Sequence, residues 1–272
     1  MRLEDVAARL GVKPSTMSRI ETGEAPVRPV YLKIILDLYE VSGPAEREEL
    51  AGLARGSSCK DWLARYRSIL PPGASTYLGL EEAASAVLAF SAHTVPGLLQ
   101  CPGYAAAAIR AARPGLDADT VSRLVTVTSR RQELLHDSRR CFRLILDESA
   151  LYRQIAPPAV MAAQRDYLAA AATMPAVTVQ VAVLARPWPV LAPSFALLRF
   201  ADPASSDVAC QPGPAGRVTR TSREADLAGL HATFDALARS ALPPGESASL
   251  IARLAGRDPA VPHGAAAASF SN

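Results

Sequence analysis

The sequence predicts a mainly α-helical N-terminal unit followed by an α+β second domain, in which helices pack on a small β-sheet. Three observations carry that expectation. Hydrophobic residues make up 49% of the 272 and aromatics 6%, so Leu, Val and Ala must build the core, a composition suited to packed helices. The first forty or so residues repeat apolar positions at helical spacing. Beyond Cys141, short runs rich in β-branched and aromatic residues appear between Pro and polar clusters.

Leu3, Val6, Ala7 and Leu10 share one face of a first helix, with Glu4, Asp5 and Arg9 opposite and Gly11 as the stop. Pro14 opens a second helix at its first position, where a missing N–H is harmless, and Thr22-Gly23 ends it after Glu21. The two meet across the tight turn Gly11-Val12-Lys13. Val30 to Val41 predicts a third amphipathic helix whose Ile34, Ile35, Leu38 and Tyr39 cover the first two, and Ala45 to Ala54 predicts a fourth. The polar, glycine-containing stretch Arg55 to Lys60 is the expected junction, giving one unit over 1–55 and another over 61–256.

In the second unit, Leu80 to Phe90, Tyr104 to Ala112 and Thr120 to Leu135 read as helices. Phe142 to Leu146, Val177 to Leu184 and Phe195 to Phe200 read as strands. An alanine-rich helix over Pro158 to Ala172 separates the first two strands, and helices over Arg223 to Ala241 and Ser247 to Leu254 complete the domain. Residues 257–272, Ala-rich from Gly264, carry no partner pattern and are expected to be disordered.

Charge and cysteine usage narrow the classes of function. Twenty-nine Lys and Arg against 26 Asp and Glu leave +3, too little to coat nucleic acid, so any DNA contact must be local. Cys59, Cys101, Cys141 and Cys210 are far apart, with no C-x-x-C pair and no His at ligand spacing, which points to reduced thiols and no metal. No apolar leader follows Met1 and no uncharged apolar run reaches the roughly 18 residues of a membrane span, so a cytoplasmic protein is expected.

The most informative segment is Val6-Ala7-Ala8-Arg9-Leu10-Gly11-Val12-Lys13-Pro14-Ser15-Thr16-Met17-Ser18-Arg19-Ile20-Glu21-Thr22-Gly23. Ala7 is small enough for two helices to cross closely, Gly11 accepts the turn, and Val12, Met17 and Ile20 lock the second helix. That leaves Lys13, Ser15, Thr16, Ser18 and Arg19 facing outward. The bland alternative is a capped helical hairpin in an ordinary all-α domain. The turn glycine and the S-x-x-S-x-I-E-x-G ending, however, resemble the helix-turn-helix of XRE-type regulators. A recognition helix entering the major groove by its N-terminus reads base edges with Ser, Thr and Arg, while Lys and free N–H groups hold phosphates. Ser15, Thr16 and Arg19 are then the expected base readers.

Further landmarks extend the resemblance. Trp62, Tyr66, Tyr77-Leu78-Gly79-Leu80-Glu81, Val95-Pro96-Gly97-Leu98-Leu99-Gln100, Tyr104-Ala105, Arg130-Arg131-Gln132 and Leu146-Asp147-Glu148 are similar to successive features of the large C-terminal domain in the actinobacterial WhiJ-like group. With Val177 to Val181 and Phe195 to Phe200, the likeness spans about residues 3 to 255. It implies a regulator of development or secondary metabolism, encoded beside a small partner protein that binds the second domain. A homodimer on a palindromic operator follows from two-fold symmetry.

The sequence departs from that pattern in places. The group's first helix precedes the one at Leu3 and is absent here, which is expected to expose apolar surface and impair DNA binding unless the start lies upstream. Arg2 and Leu3 stand where a Thr or Ser cap and a phosphate-holding Gln are usual, and Lys13 replaces a Ser cap. Ser91 replaces an acidic residue after Phe90, and Cys210-Gln211-Pro212 replaces a Tyr-x-Glu.

Catalysis finds little support. Glu81, Glu82, Asp147 and Glu148 form acidic pairs, expected to be solvated helix ends or caps rather than acid–base machinery. His93 and His136 lack companions at a recognisable spacing, and Ser57-Ser58-Cys59-Lys60 matches S-x-x-K without that class's other motifs. Arg130-Arg131, Arg139-Arg140 and Arg143 are read as a solvated basic face. No enzyme activity and no cofactor are expected. The candidate ligand or partner residues are His93, Gln100, Arg131, Gln132 and Glu148. Two rivals stand beside the regulator: a repurposed biosynthetic enzyme, favoured by a closed pocket joining Glu148, His93 and Arg131, and a protein-partner module, favoured by an exposed apolar groove without a cavity.

Overall fold

The computed structural model describes residues 3–21, 27–43, 47, 61–188, 190–202 and 205–256. Apart from Arg47, the expected fourth helix, the junction and the tail lie outside the described residues.

The N-terminal unit contains α1 (Leu3–Leu10), α2 (Pro14–Glu21) and α3 (Pro29–Leu38). Val6, Ala7, Leu10 and Met17 are buried together, with Val12, Tyr31, Ile34, Ile35 and Leu38 packed around them. α1 ends in a paired hydrogen-bond stop: Gly11 N–H donates to Ala8 O at 3.2 Å and Val12 N–H to Ala7 O at 3.0 Å. Gly11 sits at φ 65° with open space around it, so its role is conformational. α3 ends in the same geometry, Glu40 N–H to Asp37 O and Val41 N–H to Leu36 O, but the residue at φ 56° is Glu40. A side chain there carries strain that glycine would avoid.

The larger unit is organised by a six-stranded mixed sheet of order β3-β2-β1-β4-β5-β6. β1 (Ala86–Ser91), β2 (Cys141–Asp147) and β3 (Val177–Ala182) run parallel. β4 (Phe195–Arg199), β5 (Val208–Pro212) and β6 (Val218–Thr221) form an antiparallel meander that joins along β1. The remaining helices are α4 (Asp61–Ala64), α5 (Ala74–Ala83), α6 (Pro102–Ala112), α7 (Ala118–Gln132), α8 (Ser149–Tyr152), α9 (Pro158–Ala171), α10 (Glu224–Ser240) and α11 (Pro244–Leu254).

Alternation along the strands assigns two faces. Val87, Phe142, Leu144, Leu146, Val177, Val179, Val181 and Leu198 pack with Tyr104 of α6, Met161 and Leu168 of α9 and Ile251 of α11. Leu88, Phe90, Ile145, Phe195 and Leu197 pack with Leu227, Phe234 and Leu237 of α10. Helices therefore cover both faces, as a parallel β-α-β half requires. The outer edge of β3 is also covered: Val181 N–H donates to Ser247 Oγ at 3.0 Å, and Gln180 Nε2 donates to Ala238 O and Leu242 O at the end of α10. No described helix is long and apolar enough to cross a membrane.

Two expectations need correction. The segment 80–90 is not one helix, because α5 stops at Ala83 and β1 begins at Ala86. β1 lies between two strands with both faces buried, and such a continuous apolar run has the same hydropathy signature as a buried helix. The sheet is also larger than expected. β5 and β6 are short, contain Pro212 or end near Gly216, and present polar residues, so they carry no hydrophobic alternation.

Candidate DNA-reading surface and ligand pocket

On α2, Met17 is the residue turned into the core, while Lys13, Ser15, Thr16, Ser18 and Arg19 are exposed. The Lys13 carbonyl accepts the N–H groups of Thr16 at 2.9 Å and Met17 at 3.2 Å, placing Lys13 at the cap position. Its side chain cannot accept a hydrogen bond there, so the cation is left to the surface. The five residues expected to contact DNA thus lie exposed on α2 and at its cap.

The second site is a cavity of about 370 Å³ on the α6/α7 side of the sheet. Its floor follows from strand register. Ala89 of β1 pairs with Ala196 of β4, which pairs with Cys210 of β5, so three small side chains lie in a row across the sheet. Larger residues on the same face would fill the space. Leu124, Val127, Thr128 and Arg131, at helical spacing on α7, line the opposite side, with Tyr77 of α5 and Ile109 of α6 as walls. Thr94 to Gly97, just past the carboxyl end of β1, line it too. β1 is the strand at which parallel and antiparallel halves join, the position where open α/β sheets favour crevices.

Beside this cavity lies a buried ionic cluster. Glu81 is fully buried and accepts Arg131 Nε at 2.7 Å and Nη2 at 2.9 Å, together with the Tyr77 hydroxyl at 2.5 Å. Burial disfavours the Arg131 charge, but the Glu81 charge and hydrogen bonds outweigh it and hold the guanidinium firmly protonated. Burial and then the Glu81 charge push Tyr77 well above the usual phenol value, and the same two causes push the Cys210 thiol up to about 12. Gly97 lets the chain pass over this cluster: a Cβ there would stand 2.8 Å from Arg131 Nη1.

Buried amides hold the loop 94–101 in place. Gln132 Nε2 donates to Gly97 O at 3.1 Å and Gln100 O at 2.6 Å, and its Oε1 accepts the Tyr167 hydroxyl at 3.0 Å. Gln100 Nε2 donates to Val95 O at 2.7 Å. Gln164 brackets the next turn, accepting Cys101 N–H and donating to Leu99 O. Arg113 at the end of α6 also lines the cavity and donates through Nη1 to Ile69 O at 3.0 Å.

Of the candidate residues, Arg131 and Gln100 line the cavity and Gln132 props its wall. His93 is exposed on a bend outside it, and Glu148 accepts the Leu184 N–H at 2.7 Å elsewhere. The arrangement that would have favoured an enzyme, Glu148 with His93 and Arg131, does not form. Asp147 caps the following turn through Ser149 N–H, as a capping role predicts, but Glu81 is the reverse of a solvated helix end. Ser91, Cys210 and Pro212 also line the cavity. The sequence reading missed Tyr77, Glu81, Arg113 and Gln164 as site residues. A Tyr and a Glu four apart on a helix, with an Arg landmark elsewhere, was the available signal for the first two.

Residues 1–50 match a helix-turn-helix domain family, which supports a DNA-binding regulator of the XRE-like kind. No curated protein matches the chain. Residues 74–253, which contain the sheet and all of the cavity lining except Leu70 and Pro71, match the family described as a domain of unknown function (DUF5753). That match covers most of the sequence, and the chain belongs to the DUF5753 family.

Proposed function

We propose that this DNA-binding regulator controls genes of development or secondary metabolism, as in the WhiJ-like group it resembles, and that the cavity of the second domain modulates it. The observation that carries the reading is one chain joining an outward helix face of Lys13, Ser15, Thr16, Ser18 and Arg19 to an α/β unit with a preformed, mostly apolar cavity. The chain acts as a homodimer on a palindromic site, where two recognition helices address equivalent half-sites. Its second domain also offers a surface to a small neighbour-encoded protein.

The cavity serves recognition rather than catalysis. None of its ionisable groups is a ready base or nucleophile: Arg131 and Tyr77 are both tied to Glu81, Arg113 is a guanidinium, and Cys210 stays protonated at neutral pH. Such a set orients a molecule without supplying a nucleophile or a base.

Fluorescence-anisotropy titration against the DNA upstream of the protein's own gene, at two salt concentrations and with random DNA as control, tests the regulator reading. Arg19→Ala is expected to lower affinity by about 1–3 kcal/mol at the specific site, and Lys13→Ala to reduce the salt dependence by about one ion. Equal affinity for specific and random DNA would remove the reading.

A further inference from the structure

The chemistry of the cavity restricts what can occupy it. Most of its lining is aliphatic or aromatic: Leu70, Leu78, Ile109, Leu124 and Val127 surround the row Ala89-Ala196-Cys210. Its charged groups are donors only, while its remaining polar side chains are neutral hydroxyls, an amide and a thiol. Among the described residues lining it there is no Asp, Glu or His, whereas two are arginines. Arg131 spends Nε and Nη2 on Glu81, and its Nη1 makes no hydrogen bond to any described residue. That nitrogen lies against Gly97, itself part of the lining. Arg113 commits Nη1 to the Ile69 carbonyl and pairs with no described carboxylate.

The charge balance sharpens this. Glu81 already neutralises Arg131, so the deep donor is polar without an excess charge, while Arg113 is a half-buried cation without an acid. An ammonium group here would meet two guanidiniums and no acceptor carboxylate. An oxygen acceptor would satisfy Nη1 and, if anionic, balance Arg113. The volume, about 370 Å³, lies in the range of small-molecule sites.

We infer that the cavity binds a predominantly apolar small molecule with a single acceptor-only oxygen head group, a carboxylate or a neutral carbonyl, seated on Arg131 Nη1. The inference deepens the proposed function and rests on the cavity being its ligand site. It does not depend on which DNA is read.

Isothermal titration calorimetry of the full chain without DNA, using decanoate, methyl decanoate and decylamine below their aggregation concentrations, provides the test. Decanoate and methyl decanoate are expected to bind at least about tenfold more tightly than decylamine, the discrimination of one charge-assisted hydrogen bond. Ala196→Leu, which fills the floor, is expected to abolish binding of both, and Ala89→Val serves the same end if the first variant misfolds. Arg113→Gln separates the two head groups: a preference for decanoate over its ester that vanishes in this variant assigns the carboxylate, and equal binding of the two assigns the neutral carbonyl. Decylamine binding as tightly as decanoate overturns the inference while leaving a ligand cavity in place. Absence of binding by all three, or binding untouched by both floor variants, overturns the cavity as the site. DNA titration without ligand reports separately on the regulator reading.

Discussion

Glu81→Leu keeps most of the side-chain volume at position 81 but removes the acceptor for three hydrogen bonds. Arg131, with its side chain 17% exposed, then carries an uncompensated charge in an apolar setting. Breaking such a pair by removing one partner costs about 3–5 kcal/mol. For a unit of this size that lowers the melting temperature by about 6–20 °C. Replacing all three members, Tyr77→Phe, Glu81→Leu and Arg131→Met, removes the charge and the orphaned hydroxyl together. It should return to within about 2 kcal/mol of the unaltered protein. Urea unfolding followed by tryptophan fluorescence reads both variants, because the two tryptophans, Trp62 and Trp188, belong to the larger unit and not to α1–α3. A single variant costing under about 1 kcal/mol, or a triple variant as damaged as the single one, would refute the picture of a buried, mutually dependent cluster.

Other predictions follow from local features. Glu40→Gly relieves a left-handed backbone position at the end of α3 and should stabilise the N-terminal unit by about 1 kcal/mol, read by calorimetry; a lower transition temperature would contradict the strain. Iodoacetamide at mildly alkaline pH should label exposed Cys141 and spare buried Cys101 and Cys210, as mapped by mass spectrometry of the native protein; rapid labelling of Cys210 would show its thiol is not held protonated. Tyr77 and Cys210 both have raised folded-state values, so the folded protein retains protons that the unfolded chain releases. The Cys210 contribution is complete below about pH 9 and is lost as pH rises towards about 12, so the urea midpoint should fall over that window and fall less steeply in Cys210→Ala. An identical pH dependence in the variant would exclude Cys210 as a source.

The N-terminal unit was legible because its information is local. Gly11 needs a positive φ, Met17 is the buried residue of a mostly polar helix, and neighbouring residues satisfy both requirements. The parallel strands β2 and β3 were legible from β-branched runs such as Val177-Thr178-Val179-Gln180-Val181. β1 was hidden because burial on both faces erases alternation, and β5 and β6 because their hydrogen bonds to neighbours, rather than their side chains, make them strands. The sequence singles out Arg131 and Gln100, but the cavity they line could not be read from it. Ala89, Ala196 and Cys210 are unremarkable one by one, and their smallness matters only after register sets them side by side. Glu81 was misread for a related reason: its partner Arg131 is fifty residues away, and an acidic residue near a helix end is ordinarily solvated.

The seam between the two halves of the sheet has a kinetic side. Phe90 on β1 meets Phe195 on β4, more than a hundred residues later in the chain, whereas β4, β5 and β6 are joined by connections of eight and five residues. Closing so long a loop carries an entropic penalty that only the finished pairing offsets. During synthesis, the segment from β1 to β3 emerges with one edge of β1 unpaired, and the cavity floor does not exist until Cys210 has left the ribosome. A molecule seated in the cavity as proposed would therefore favour the last step of folding as well as the folded state, and cellular abundance of the protein would then rise with the supply of that molecule.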